Sequence, residues 1–171
     1  MSVAYPARET RGPMDRGEVP TQAAVLNMKG FRRPVPEPAV EAGSTDTPEI
    51  TFVRPIPGFA ELKRFILVRL NDADAVISEL RSLERPEVRF VVVAPAVFFS
   101  DYVIELDEET CDSLELTSAD DALILTVLTV GPDLASSTAN LLAPIVINIR
   151  TREAAQVILS GSDWPVRAPL G

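Results

Sequence analysis

The 171-residue chain contains no histidine. The usual proton shuttle near neutral pH and the commonest metal ligand are both missing, which excludes histidine-based triads and the usual zinc sites. The single cysteine, Cys111, cannot form an internal disulfide; it fits a reducing compartment and reads as a packing residue. The eight glycines are scattered, so there is no glycine-rich phosphate loop. Long apolar runs are lacking too. ALILTVLTV is about half of the roughly 20 residues a spanning helix needs, and MSVAYPARET lacks a signal peptide's apolar segment. These absences predict a cytoplasmic protein with no membrane span, no metal and no cofactor. The 25 acidic residues leave two-carboxylate glycoside hydrolysis formally open, but no spacing singles out a pair. Binding is favoured over catalysis.

What is present is apolar content for one core and an uneven charge. Hydrophobic residues make up 46% of the chain, enough for a single globular domain. The net charge is −9, yet residues 1–47 hold six basic and six acidic residues, so the excess lies beyond them. Nine carboxylates and no basic residue fall between Asp101 and Asp121: Asp101, Glu105, Asp107, Glu108, Glu109, Asp112, Glu115, Asp120 and Asp121. A field of that sign repels nucleic acid and attracts a basic protein. A solvated loop kept acidic for solubility has the same composition.

Residues 1–47 hold six of the fifteen prolines and no long periodicity, the composition of a disordered or extended tail. Its one apolar island, AAVLNMKGF (Ala23 to Phe31), reads as an incidental cluster rather than a docking segment. Residues 48–171 switch to short β-rich runs between turn residues, the pattern of antiparallel sandwiches and barrels. ITFVR, FILVRL, VRFVVVAPAVFF, SDYVIEL, ALILTVLTVG, APIVINIRT and AAQVIL read as strands. PIPGF is a turn in which Gly58 is free to take positive φ. ALILTVLTVG has both faces covered and is the expected middle strand of the core. In DADAVISELRSL, Val76, Ile77, Leu80 and Leu83 stand near helical spacing, which predicts the core's helix there. The expected fold is all-β: a compact antiparallel β-barrel-like domain with at most one or two short helices, preceded by a disordered tail.

The candidate contact residues are polar groups set among apolar strands. Asn140 and Asn148 are either pins that satisfy loop backbone or partner contacts. Asp101 and Tyr102 sit at a strand start and suit an interface, because Tyr supplies area and a hydroxyl; a half-buried Tyr with a satisfied hydroxyl is the alternative. Glu105, Asp107, Glu108 and Glu109 are the dense part of the acidic window. Trp164 is expected to cap one end of the core.

The order of these motifs resembles the flagellar assembly factor FliW family over about Ile50 to Arg167. TANLLAPIVIN followed by AAQVIL is the most specific part. PIPGF is similar to the family's proline-glycine-phenylalanine turn, LRSLERPEVRFVVVAP to its glutamine-serine and acidic-proline segment, and FFSDYVIEL to its phenylalanine-proline-aspartate-tyrosine element. Arg81, Ser100 and Trp164 depart from the glutamine, proline and tyrosine common there. The resemblance implies a barrel-like fold without catalysis. It implies binding to CsrA, an RNA-binding translational repressor of flagellin, and to flagellin itself, the two partners competing. Such a regulator is expected to be a monomer that exchanges partners without touching nucleic acid. A β-rich interaction or scaffolding domain with unrelated partners is the competing reading.

Overall fold

The computed structural model describes the chain at residues 24–26, 48–70 and 77–171. Among the described residues, eleven strands and one α-helix follow in order. They are β1 (Ala24–Leu26), β2 (Glu49–Phe52), β3 (Arg64–Arg69), β4 (Ile77–Ser82), β5 (Arg89–Val93), β6 (Ile104–Leu106), α1 (Glu108–Ser113), β7 (Ala122–Thr129), β8 (Thr138–Ala139), β9 (Ile145–Asn148), β10 (Glu153–Gln156) and β11 (Ala168–Pro169). Seven of them form a closed ring in the order β7-β5-β4-β3-β2-β10-β9, with β9 returning to β7. Closure removes the free edges that an open sheet would leave. All the ring pairings are antiparallel except β2 with β10, which run parallel.

Period-2 alternation divides the apolar residues between two cores. Ile50, Phe52, Phe65, Leu67, Leu80, Val92, Leu123, Leu125, Ile145, Ile147 and Ala154 belong to one cluster and fill the barrel. Phe52 and Phe65 meet edge to face with ring centroids 5.0 Å apart, and Phe59 closes on Phe90 at 5.2 Å. Phe59 reaches that position through the turn at Gly58, whose φ of +87° is the left-handed conformation the motif predicts. The interior is thus occupied by side chains rather than open to a ligand.

The opposite faces of β5, β7, β9 and β10 build a second core outside the barrel. Val93, Ala122, Ile124, Leu128, Val146 and Ala155 are roofed there by Tyr102, Ile104, Leu106, Leu114, Leu141 and Leu159. β7 therefore has apolar residues on both faces and lies between the two cores, as its sequence predicts. Fully burying one such side chain contributes about 1.5–3 kcal/mol, so a roof of this size holds β6 and α1 in place.

The predicted helix in DADAVISELRSL is not formed where the residues are described. Residues 71–76 lie outside the described residues, and Ile77–Ser82 is β4, paired on both sides by β3 and β5. Tertiary pairing overrides the helical spacing, because Leu80 enters the barrel while Glu79 and Arg81 face outward and bond each other at 2.8 Å. The helix lies instead inside the acidic window. The disordered reading of residues 1–47 falls outside the described residues apart from β1, where part of the apolar island forms a strand on β6.

Candidate functional site

The roof carries the acidic window. β6 has the burial pattern buried-exposed-buried, so Ile104 and Leu106 seal the second core while Glu105 faces solvent. Asp107 then caps α1: its carboxylate accepts from the Thr110 amide at 2.7 Å, and Glu108 and Glu109 occupy the first turn, where negative charge suits the helix dipole. Asp-x-x-Thr with acids between is a start signal legible in DEETCDSLEL, although apolar periodicity there is too short to advertise a helix. Hydrogen bonds from Thr110, helped by the Arg54 charge, hold the Asp107 carboxyl below its ordinary range. Burial and three neighbouring carboxylates push the Cys111 thiol up, so it stays protonated.

Asn148 anchors the far end of this helix. Its side chain is fully buried, and its amide donates to the Leu114 carbonyl at 2.8 Å and the Glu115 carbonyl at 3.0 Å. Its carbonyl accepts from the Arg150 amide at 2.8 Å and the Thr151 amide at 3.3 Å. The helix leaves through Glu115 at φ 51°, with Leu116 N–H bonded to Cys111 O and Glu115 N–H to Asp112 O, a Schellman ending on a residue that is not glycine. Asn148 supports that corner from below.

Tyr102 is equally inaccessible. Its hydroxyl donates to the Leu141 carbonyl at 2.7 Å, and its ring packs on Trp164 with centroids 4.9 Å apart; burial raises its pKa. Tyr102 and Asn148, expected as possible contacts, therefore present no surface to a partner and act as pins. Asn140 is half-buried and accepts from the Ala143 amide at 3.1 Å, fixing the turn that leads to Pro144 and β9.

The acidic residues are placed differently. Asp101, Glu105, Asp107, Glu108, Glu109, Asp112, Glu115 and Asp120 are all exposed, and among the described residues none of these eight forms an ion pair. Asp121 does, at 2.9 Å from Arg150, and hydrogen bonds from Thr117 hold its pKa down. The fold brings two cations that the linear window does not contain. Arg54 donates to the hydroxyls of Thr110 and Ser113 at 3.3 and 3.2 Å, and Arg150 reaches Asp121 and Thr117. Among the described residues, nine carboxylates thus meet two guanidiniums, and the face they form is negative.

Beside β6 lies a groove of about 530 Å³. Glu105 and Asp107 stand on one side, residues 157–162 on the other, and Trp164 lies among the lining residues with its indole N–H on the Val103 carbonyl at 3.1 Å. Ile158 is 61% exposed there. The sequence reading misses this wall because AAQVIL looks like one strand, whereas β10 ends at Gln156 and the chain turns Val157 and Ile158 toward the groove. Among the described residues, no helix is long and apolar enough to cross a membrane.

Comparison with known proteins fits this geometry. The model of the family described as FliW protein matches residues 38–170. The chain belongs to the FliW family. The flagellar assembly factor FliW of Bacillus licheniformis is 41% identical over 122 residues, covering 71% of this chain and 85% of that protein. The FliW of Bacillus subtilis is 38% identical over the same length and coverage. A crystal structure of the flagellar assembly factor FliW superposes with a TM-score of 0.68 at 36% identity, covering 71% of this chain and 84% of its own. The FliW match begins after residues 24–26, so β1 lies outside the matched region.

Proposed function

We propose that this FliW-family chain serves flagellar assembly by binding proteins rather than by catalysis, and that its partners are CsrA and flagellin. The observation that carries the reading is the roof: eight exposed carboxylates between Asp101 and Asp120 that form no ion pair among the described residues, beside a groove with Trp164 and the exposed Ile158. Charges not consumed within the fold are available to an external basic surface. The adjoining groove, mixed in polarity, offers such a partner Ile158 and Trp164 as apolar anchors, and rim charge adds steering and specificity.

An RNA-binding regulator presents cations to phosphate. A negative roof that docks on or near those cations opposes RNA even where it does not cover the RNA site, since repulsion persists over about 8–10 Å at ordinary salt. Exchange follows if flagellin uses an overlapping part of the roof: flagellin in excess leaves CsrA free to repress, and export of flagellin returns the FliW-family protein to CsrA. Asp101, Glu105, Asp107, Glu108 and Glu109 are the exposed contact candidates; Asn140 shapes the neighbouring turn.

Titration calorimetry of the full chain against the host's CsrA and flagellin separately, then against CsrA with flagellin already bound, tests the reading. Binding to each with mutual exclusion is expected. Binding to neither by folded protein overturns it and leaves a β-barrel interaction domain with other partners.

A further inference from the structure

β6 forms no part of the barrel ring, and among the described residues its one strand neighbour is β1. The pairing is antiparallel, with Ala24 opposite Leu106, Val25 opposite Glu105 and Leu26 opposite Ile104. β1 also runs beside the turn at Ala119–Asp121. It therefore crosses the roof between the two ends of the acidic window. The stretch that supplies it is complementary in charge: from Val19 to Pro36 there are three cations, Lys29, Arg32 and Arg33, and no carboxylate.

A lone strand edge with unpaired backbone groups is a template for strand addition. β6 supplies such an edge, with roof carboxylates around it and apolar residues beneath. We propose that β6 is a strand-acceptor site, held in cis by residues 24–26, whose external ligands are extended protein segments with a short apolar run followed by cations. The tether gives β1 the advantage of a high effective concentration, so an outside segment must displace it. Residues 24–26 then act as a plug that weak ligands do not remove. This site does not depend on which protein the roof serves.

The test uses the full chain with Ala24→Pro and Val25→Pro together. Neighbouring residues of a strand point their N–H groups to opposite sides, so the pair removes a ladder donor whichever residue supplies it. Hydrogen exchange of Ile104–Leu106 is expected to quicken in the variant while β7 keeps its protection. A labelled peptide spanning residues 20–36 of this chain, followed by fluorescence anisotropy, is expected to bind the variant at least about tenfold more tightly than the unsubstituted chain, because the cis competitor at an effective concentration on the order of millimolar is gone. Bound peptide should restore the protection of β6, and salt should weaken it. Equal exchange in the two proteins, or a variant that does not bind the peptide, overturns the proposal. Loss of protection in β7 as well would make β1 a structural part of the roof rather than a displaceable occupant, and overturns it too.

Discussion

On the outer wall formed by β2 to β5, each described carboxylate lies beside a guanidinium. Glu79 stands 2.8 Å from Arg81 and 4.0 Å from Arg89, Glu49 and Glu84 flank Arg64, and Glu61 and Glu87 flank Arg85. In the roof's window from Asp101 to Asp121, one carboxylate of nine is paired among the described residues. The segment that builds the wall, residues 49–93, is balanced, with seven acidic and seven basic residues, whereas the roof's window has nine acidic and none basic; both sit on the same barrel. The wall's charges are satisfied within the fold, whereas all but one of the roof window's carboxylates find no ion-pair partner among the described residues. Counting carboxylates along the sequence would rank the regions by density alone; the structure separates them by whether a partner already exists. Arg81, which departs from the family pattern, belongs to the wall, where its partner is Glu79.

The comparison breaks most severely if the roof loses its pin. Asn148→Ala leaves two carbonyls and two amides without their buried partner, and equilibrium unfolding should show a loss on the order of 3 kcal/mol. A loss below about 1 kcal/mol would mean that water replaces the side chain and that α1 is not held by it. Tyr102→Phe removes one buried donor and leaves the Leu141 carbonyl alone, so a loss of about 1–2 kcal/mol is expected in the same experiment. On the wall, Glu79→Gln with Arg81→Gln removes a part-buried charged pair in which Glu79 is buried and Arg81 partly exposed; a cost of about 1 kcal/mol is expected, with partner binding unchanged.

The smallest expected effect is that of pH. With no histidine in the chain, unfolding free energy should stay nearly flat between about pH 5.5 and 8. Asp107 and Asp121 have folded-state pKa values below their ordinary ones. The stability they contribute is present above the unfolded carboxylate pKa and is lost as pH falls below about 4 through the lowered values. A step near pH 6 would contradict this.

Much of the barrel is readable from residue patterns because alternation is a short-range signal. The β-branched run of β9, the turn at Gly58 and the two-faced apolar run of β7 each declare their state locally. DADAVISELRSL misleads since Leu80 and Leu83 satisfy a helical period equally well, and the choice is made by β3 and β5, which are distant in sequence or absent from the window. The site is only half readable. The acidic window stands out in composition, but the burial of Tyr102 and Asn148, the arrival of Arg54 and Arg150, and the groove wall at Ile158 all depend on packing between remote segments. β1 is the extreme case: three ordinary apolar residues within a proline-rich stretch gain meaning from an edge about eighty positions away, a span read directly from Val25 and Glu105.

The central claim, that the roof's unpaired charges serve a partner while the wall's do not, is tested most directly by association kinetics. Stopped-flow rates with CsrA would be compared for the unsubstituted chain, the wall variant above, and a roof variant carrying Glu105→Gln, Asp107→Asn, Glu108→Gln and Glu109→Gln, in which asparagine keeps the cap of α1. At low salt the roof variant should associate at least about tenfold more slowly and lose much of its salt dependence, while the wall variant matches the unsubstituted chain. Unchanged rates and salt dependence in the roof variant, or an equal effect from the wall variant, would contradict the account.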